Sequence, residues 1–456
     1  MIKSASRHYF LWTIGCQMNA ADSRRLASEL EALGYKATDN ERLADVIVLN
    51  TCVVRQQAED KIVGRLGSLK TVKEANPNAV IGLMGCMVGR HEAPALKARF
   101  PHVDVFMAPS ETEPMVSYLK ENGLYELIDE SVDEDRAFRD ALQDAAYLLP
   151  AEQRGSSVTA FVPVVLGCSH ACSFCIIPYR RGVERSRPQV EVLDEIRAFA
   201  DQGVKEVMLL GQIVDRYGKD LDNGESLAGL LQATHAINGI DRIRFLTSHP
   251  NWMTDDLLQT VADFPKICPQ LEVPIQAGNN DVLATMRRGY TREDYLRLID
   301  RIRHFTPEAA IHTDIIVGFC GETEAQFMDT YRLFEEVRFD KTHIAKYSVR
   351  PRTVAARRME DDVPAEEKTR RWKMLDDLQQ SILAEKNAAL MGQQVSVLVE
   401  SRRKERWHGR TPHNKLVFFD DDRQDLAGQT VDVTVDWTGP YSLVGHGQVA
   451  EACTLT

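Results

Sequence analysis

Three cysteines stand within eight residues in the stretch GCSHACSFCIIPYRRG (167–182), spaced CxxxCxxC as Cys168, Cys172 and Cys175. The spacing is short enough to wrap one metal centre. Zinc takes four ligands in a tetrahedron. His170 lies between Cys168 and Cys172, awkwardly placed to reach the same ion, and no CxxC partner pair follows. A 4Fe–4S cluster normally takes four thiolates. Three thiolates leave one iron open, and an open coordination position is what a catalytic metal needs. An open-site iron–sulfur cluster accounts for the triplet better than zinc does.

A second set of cysteines becomes visible once the elements are placed. YFLWTIG (9–15), DVIVLNT (45–51), AVIGLMG (79–85) and DVFMA (104–108) read as strands. Between them run helical patterns: ADSRRLASELEALGY, which offers Asp22 as an N-cap, and residues 54–74. Strands joined by helical crossovers make a parallel α/β sheet. Cys16, Cys52 and Cys86 each lie just beyond the carboxyl end of one of these strands. In an open parallel sheet those ends share the edge where ligands bind. Free cysteines also pack well as small apolar residues, but three at equivalent positions point to a shared ligand site.

From about residue 158 the alternation resumes. AFVPVVLG (160–167), EVMLLG (206–211), RIRFLTS (242–248), QLEVPIQ (270–276), IHTDIIVG (311–318) and THIAKYS (342–348) read as strands with helical patterns between them. About six β/α repeats suggest an open or partial parallel barrel, whose strand carboxyl ends carry the chemistry. The three-cysteine loop follows the first of these strands and opens on that face. Gly211-Gln212, Ser248 and Gln276 end others. A long helix is expected over 364–390. Beyond it short strands with turns suggest a β-barrel of about 60 residues. The expected fold class is α/β: an N-terminal parallel α/β domain (1–125), an acidic linker (126–155), a partial (β/α)6 barrel (156–388) and a small β-barrel (389–453).

With 456 residues, 44% hydrophobic and 27% charged, the chain is an ordinary globular protein too long for one core. No apolar run approaches the roughly 20 residues that span a bilayer, and the start lacks a signal-peptide pattern. A cytoplasmic protein without a membrane partner is expected. The cytoplasm keeps thiols reduced, so the nine cysteines are not read as a disulfide framework. A net charge of −12 argues against non-specific coating of DNA, yet leaves room for a local nucleic-acid site.

The CxxxCxxC loop after the first barrel strand resembles the radical SAM superfamily. The whole pattern is similar to the methylthiotransferases, which join a UPF0004-type domain, a radical SAM barrel and a TRAM domain. The matching stretches are GCQMNAADS, NTCVVRQQAEDK, GCM at Cys86, FVPVVLGCSHACSFCIIPYRRGVERSRP, LLGQ, TSHP, VPIQAGNNDVL, GYTREDY, DIIVGFCGETE and GRTPHNKLVFF. The resemblance implies two 4Fe–4S clusters, one on Cys168, Cys172 and Cys175 and an auxiliary one on Cys16, Cys52 and Cys86. It also implies S-adenosylmethionine (S-adenosyl-L-methionine) as both methyl donor and radical source, an external electron donor and a sulfur source. Within the family, the NTCxVR form with Arg55 is most like the branch that modifies N6-isopentenyl(dimethylallyl)adenosine at C2, beside the anticodon in the tRNA stem-loop. Other branches act on threonylcarbamoyladenosine or on ribosomal protein S12. A non-catalytic iron–sulfur RNA-binding protein is the reading from a different class; two three-cysteine sets argue against it, because sealed clusters would show a fourth ligand.

The resemblance places Phe174, Gly211, Gln212, Ser248 and Gln276 near S-adenosylmethionine, although a strand-end turn or loop hydrogen bonding explains several of them nearly as well. Arg180 and Arg181, with Arg185 and Arg187, adjoin the cluster loop and are expected to meet phosphates. Arg402, Arg403, Arg410 and Lys415 are expected at an RNA surface, with Trp407, Phe418 and Phe419 interleaved, although the Phe pair reads more readily as core than as a stacking platform. Two departures stand out. Cys320 replaces the usual proline of GFPGE, and Ile213 the asparagine after LLGQ. Cys268 and Cys453 read as spare thiols.

Overall fold

The computed structural model describes residues 7–53, 56–89, 91–126, 142, 145 and 147–447. Arg55, Cys453 and most of the expected acidic linker lie outside them.

The N-terminal domain is a five-stranded, all-parallel sheet in the order Lys36–Ala37, His8–Thr13, Val46–Thr51, Val80–Gly85, Val105–Met107. The two central strands VIVLNT and VIGLMG are buried at every position, as a parallel sheet covered on both faces requires. Alternate side chains serve opposite faces. Val46 and Val48 pack with Leu26 and Leu30 of helix Gln17–Ala32, whereas Ile47 and Leu49 pack with Ile62, Leu66 and Leu69 of helix Gln56–Ala75. The two-residue strand Lys36–Ala37 is too short to show a period and was not expected. The first helix also begins earlier than its expected cap. Cys16 is its N-cap and Asp22 lies inside it, buried and paired elsewhere.

The order places the second strand in sequence beside the first, with the third on the first strand's other side. That reversal makes a crevice at the carboxyl ends of the first and third strands. Cys16 and Cys52 follow those two strands.

The central domain has six parallel strands in sequence order, Thr159–Pro163, Glu206–Leu210, Arg242–Leu246, Gln270–Glu272, Ala310–Val317 and Lys341–Lys346. They form two three-stranded halves, joined where Cys268 N–H donates to Ile243 O at 2.9 Å and Ser248 N–H to Glu272 O at 3.0 Å. The helices lie outside, and their apolar stripes meet the strands in one continuous core. Helix Arg292–Phe305 starts with a capping box in which Thr291 and Asp294 bond each other's backbone N–H. The last strand is covered by helix Ala365–Ala388, where Trp372 Nε1 donates to Ile344 O at 3.0 Å.

The C-terminal strands Gln394–Arg403, Arg406–Arg410, Leu416–Asp420, Thr430–Thr438 and Leu443–Gly447 close a barrel around Val397, Val399, Trp407, Val417, Phe419 and Val433. The strand Arg406–Arg410 was not among those expected, because its charged, glycine-containing sequence shows no apolar alternation. The barrel is bolted to the central domain by a buried arginine. Arg244 pairs with Glu206 at 2.8 Å and donates to Thr411 O at 2.8 Å and Pro412 O at 2.7 Å. Among the described residues no helix is long and apolar enough to cross a membrane.

Candidate functional site

Cys16 is exposed at its sheet edge, while Cys52 and Cys86 are buried. A buried polar network fixes the strand ends that carry them. Asn19 Nδ2 donates to Asn50 Oδ1 at 2.8 Å and to Thr51 O at 2.9 Å. Asn50 Nδ2 returns bonds to Asn19 O and Ser23 Oγ, and Thr51 Oγ1 donates to Met84 O at 2.6 Å. Satisfied networks of this kind hold one geometry. Before Cys86, Gly85 has φ +98°, and a Cβ there would stand 2.5 Å from Thr51 O. Only glycine allows the turn and the approach.

Arg181 enters this edge from the central domain. Its guanidinium donates to Ser110 Oγ at 3.3 Å and Asn19 Oδ1 at 3.4 Å and pairs with Asp22 at 3.5 Å, and its charge acts on the Cys86 and Cys16 thiols. Burial pushes the Cys86 thiol up to about 11; Arg181 opposes the rise, and Cys52 and Cys16 add to it. Burial likewise raises the Asp22 carboxyl against the pull of Arg181 and Ser110.

The second site is the loop after Val165–Leu166. Gly167 opens it at φ +72°, with a Cβ position only 2.1 Å from Val183 O. Cys168 is buried; Cys172 and Cys175 are half-buried. Ser173 anchors the loop to the barrel: its N–H donates to Met286 O at 3.0 Å, its Oγ to Thr285 O at 2.8 Å, and its O accepts from Ala355 N–H at 2.8 Å. Phe174 packs edge-on to Phe319 at 6.3 Å. Burial pushes Cys168 up to about 11 and Cys175 up to about 12, and neighbouring thiols push the same way. Buried Arg288 donates to Cys172 Sγ at 3.1 Å and is held by Tyr290 Oη at 2.8 Å and Pro274 O at 3.1 Å.

Around that loop lie the other strand ends. Gly211 is close-packed: a Cβ would come within 2.8 Å of Val214 Cα. Gln212 is half-buried beside it, and Ile213 is buried. Ser248 is buried with its hydroxyl unpartnered among the described residues, as is His249 Nε2. His249 N–H donates to the Asp215 carboxylate at 3.0 Å, and its ring lies 4.6 Å from that of His170. Burial, with Arg288 next in effect, pushes His249 down to about 2; burial pushes Asp215 up to about 8. Gln276 sits at φ +78° and Thr247 at φ +68°, strain of the kind that gathers at functional edges. A cavity of about 300 Å³ opens beside the loop, lined by Ser169, His170, Ala171, Arg216 and Arg287.

Residues 8–108 match the uncharacterized protein family UPF0004, residues 162–334 the Radical SAM superfamily and residues 389–446 the TRAM domain. The chain is 45% identical over 443 residues to the tRNA-2-methylthio-N(6)-dimethylallyladenosine synthase of Roseiflexus sp. (strain RS-1), covering 96% of this chain and 89% of that one. The protein of the same name from Chloroflexus aurantiacus is 44% identical, covering 98% of this chain and 92% of its own. The chain belongs to the tRNA-2-methylthio-N(6)-dimethylallyladenosine synthase family. The fold is also that of TsrM, the radical S-adenosylmethionine methyltransferase from Kitasatospora setae. The TM-score is 0.55 at 14% identity, over 77% of this chain and 74% of that one.

In this member of the synthase family the expected RNA-facing residues divide. Arg402 and Arg403 are exposed at the hairpin between the first two TRAM strands. Arg410 pairs with Glu400 at 3.1 Å. Three placements correct the sequence reading. Arg181 is buried against Asp22 and Cys86, where a phosphate cannot reach it. Lys415 is half-buried, its Nζ on Asn387 Oδ1 at 2.7 Å at the junction with helix Ala365–Ala388, and burial lowers its pKa. Trp407 is barrel core; Phe419 is core as well, in keeping with the reading of the Phe pair, and Phe418 is half-buried and stacked on His408. Arg180 pairs with Glu92 at 3.1 Å. Sequence reasoning passed over Arg288, Asp215 and Asn19, and met His249 only as the neighbour of Ser248 in the strand-end group Ser248-His249-Pro250. Two of these lie inside stretches already singled out, His249 in TSHP and Asn19 in GCQMNAADS.

Proposed function

We propose that this enzyme adds a methylthio group to C2 of N6-isopentenyl(dimethylallyl)adenosine beside the anticodon of tRNA. It would work in the cytoplasm with an external electron donor and a sulfur source. The observation that carries the reading is the presence of two cysteine triads joined by one short helix. Cys168, Cys172 and Cys175 precede Ile177–Arg181, and the last residue of that helix donates to the Asn19 Oδ1 that also accepts from Cys16 Sγ. The name borne by relatives along nearly the whole chain supports the substrate.

The residues fit the clusters that the family implies. Each triad offers soft thiol donors beside one buried guanidinium, Arg181 or Arg288. Burial raises the pKa of the Cys86, Cys168 and Cys175 thiols, so their binding a metal as thiolates would release protons. When bound, the two clusters and S-adenosylmethionine supply hydrogen-atom abstraction and the methylthio group. The chain's own residues do the rest. Ser248 Oγ and His249 Nε2 are buried without a protein partner among the described residues, which suits them to a polar ligand. His249 stays neutral, and because its Nδ1 accepts from Asn251 N–H at 3.3 Å, its Nε2 carries the proton and can donate one hydrogen bond there. Phe174, Gly211, Gln212 and Gln276 complete the proposed cofactor wall, Gly211 by leaving no room for a side chain. The target base must leave its stack to enter, at a cost of a few kcal/mol. Arg402 and Arg403 would hold the stem-loop.

The test is nucleoside mass spectrometry after anaerobic reconstitution with S-adenosylmethionine, reductant and sulfide. One tRNA carries isopentenyladenosine and another threonylcarbamoyladenosine. A methylthio product on the first alone is expected. Product on the second alone overturns the substrate. Deoxyadenosine without either product redirects the search to ribosomal protein S12.

A further inference from the structure

We propose that Arg181 is a positioning residue that ties the N-terminal cysteine edge to the radical loop and sets the charge environment of whatever Cys16, Cys52 and Cys86 hold. The inference rests on the reading of those cysteines as cluster ligands.

Arg181 belongs to the radical loop, six residues after Cys175, yet none of its hydrogen bonds described above stays within that domain. They go to Ser110, Asn19 and Asp22, all in the N-terminal domain. The guanidinium and the Asp22 carboxylate are each 3% exposed, so the pair is desolvated. Burying a pair at such cost gives weak evidence of stabilisation and is better attested as a device of specificity. Asp22 alone cannot account for the placement, because Ser110 already donates to it at 2.7 Å and Arg181 stands a longer 3.5 Å away. The fork is instead spread between the carboxylate, Ser110 Oγ and the Asn19 amide oxygen that also accepts from Cys16 Sγ at 3.3 Å, with the Cys86 thiol within reach of its charge. One side chain thus bears on two of the three cysteines.

The rest of its helix has the same attachment. Ile176, just before Ile177–Arg181, is buried in the N-terminal core with Cys86 and Met87, and Arg180 pairs with Glu92. With five helical residues at 1.5 Å rise, the helix spans roughly 8 Å. A movement of the radical loop is therefore transmitted to the other cysteine edge through one rigid turn. A fixed positive charge beside a cluster favours its reduced, more negative form, and in a buried site that effect is weakly screened.

The test uses the full chain with Cys168, Cys172 and Cys175 all replaced by Ala, so that only the N-terminal site takes up iron. Iron content and a spectroscopic redox titration are read for this parent, for Arg181→Met, for Arg181→Lys and for Arg24→Met. Arg24 also bridges the domains, through Glu195 at 2.7 Å and the Phe161 carbonyl, but bonds no cysteine. The expected result is a midpoint moved to more negative potential by R181M, largely restored by R181K and unmoved by R24M. Loss of iron in R181M with retention in R181K and R24M supports the same conclusion. Superimposable titrations of R181M and the parent overturn it, as does an equal change in R24M, which would mean general loosening of the domains. A parent that binds no iron overturns the ligand reading, and the role of Arg181 with it.

Discussion

Arg288 Nη1 lies 3.1 Å from Cys172 Sγ, a contact between residues 116 positions apart. The arginine is buried and, among the described residues, bonds no carboxylate; its other partners are a phenol and a carbonyl. A desolvated cation so placed meets its counter-charge when the neighbouring thiol ionises. The radical site and the second half of the central barrel are thereby one electrostatic unit.

Two substitutions separate the thiol from its cation. Cys172→Ala is expected to lower reconstituted iron from about eight to about four per chain and abolish S-adenosylmethionine cleavage, leaving tRNA affinity nearly unchanged. Arg288→Met keeps three thiols and removes the guanidinium's bonds to Cys172, Tyr290 and Pro274; Tyr290 Oη still donates to Pro274 O and Ile275 O, so the cost to the metal-free fold is only the lost bonds, about 1 kcal/mol. Denaturant melts of metal-free R288M and iron analysis of both variants check this. Wild-type stability in R288M would contradict it.

The TRAM surface predicts a contrast in salt dependence. Replacing exposed Arg402 and Arg403 together by Ala should weaken RNA binding and reduce the slope of log K against log salt by roughly 1.5. Lys415→Ala should leave that slope unchanged, because its ammonium is engaged with Asn387. Filter binding at several salt concentrations decides between them.

His312 provides a pH prediction away from either cysteine site. It is buried among Lys341, His343, Arg244 and Lys415, and burial first, then those charges, hold its pKa well below the ordinary 6.5. The unfolded chain therefore takes up a proton that the folded chain refuses. Stability from this group is full above pH 6.5 and falls below it by about 1.4 kcal/mol per pH unit until the folded pKa is reached. Urea titrations at pH 7.5 and 5.5 should show a smaller acid loss in His312→Gln than in the wild type. Equal losses would contradict the assignment.

Gly85→Ala should cost more than an ordinary glycine substitution. It combines φ +98° with a Cβ position 2.5 Å from Thr51 O. Gly123→Ala, at φ +62° with open space around it, is the control and should cost about 1 kcal/mol. Thermal melts and iron uptake by the N-terminal site should fall further in G85A than in G123A.

Much of this was legible in the sequence because it follows from local pattern. The apolar runs VIVLNT and VIGLMG announce buried parallel strands, and chain direction then puts Cys52 and Cys86 on one edge. The capped helix at Thr291 is read as easily. What stayed hidden depends on tertiary contact. A run of arginines reads as a solvated face, yet Arg181 turns inward to Asp22 and Cys86 while Arg402 turns out. Asp22 has a capping residue's chemistry but meets an arginine 159 positions away. Lys36–Ala37 and Arg406–Arg410 exist as strands because neighbours supply their hydrogen bonds, and short or charged segments carry no period of their own.

The bonds from Arg244 to Thr411 and Pro412 make the small barrel an extension of the large one. On an RNA held by both, the two would act as the fixed jaws of a caliper. A nucleic acid gripped at the hairpin of Arg402 would meet the barrel mouth at one reach only, so the spacing between grip and target would be measured by the protein before any base is recognised.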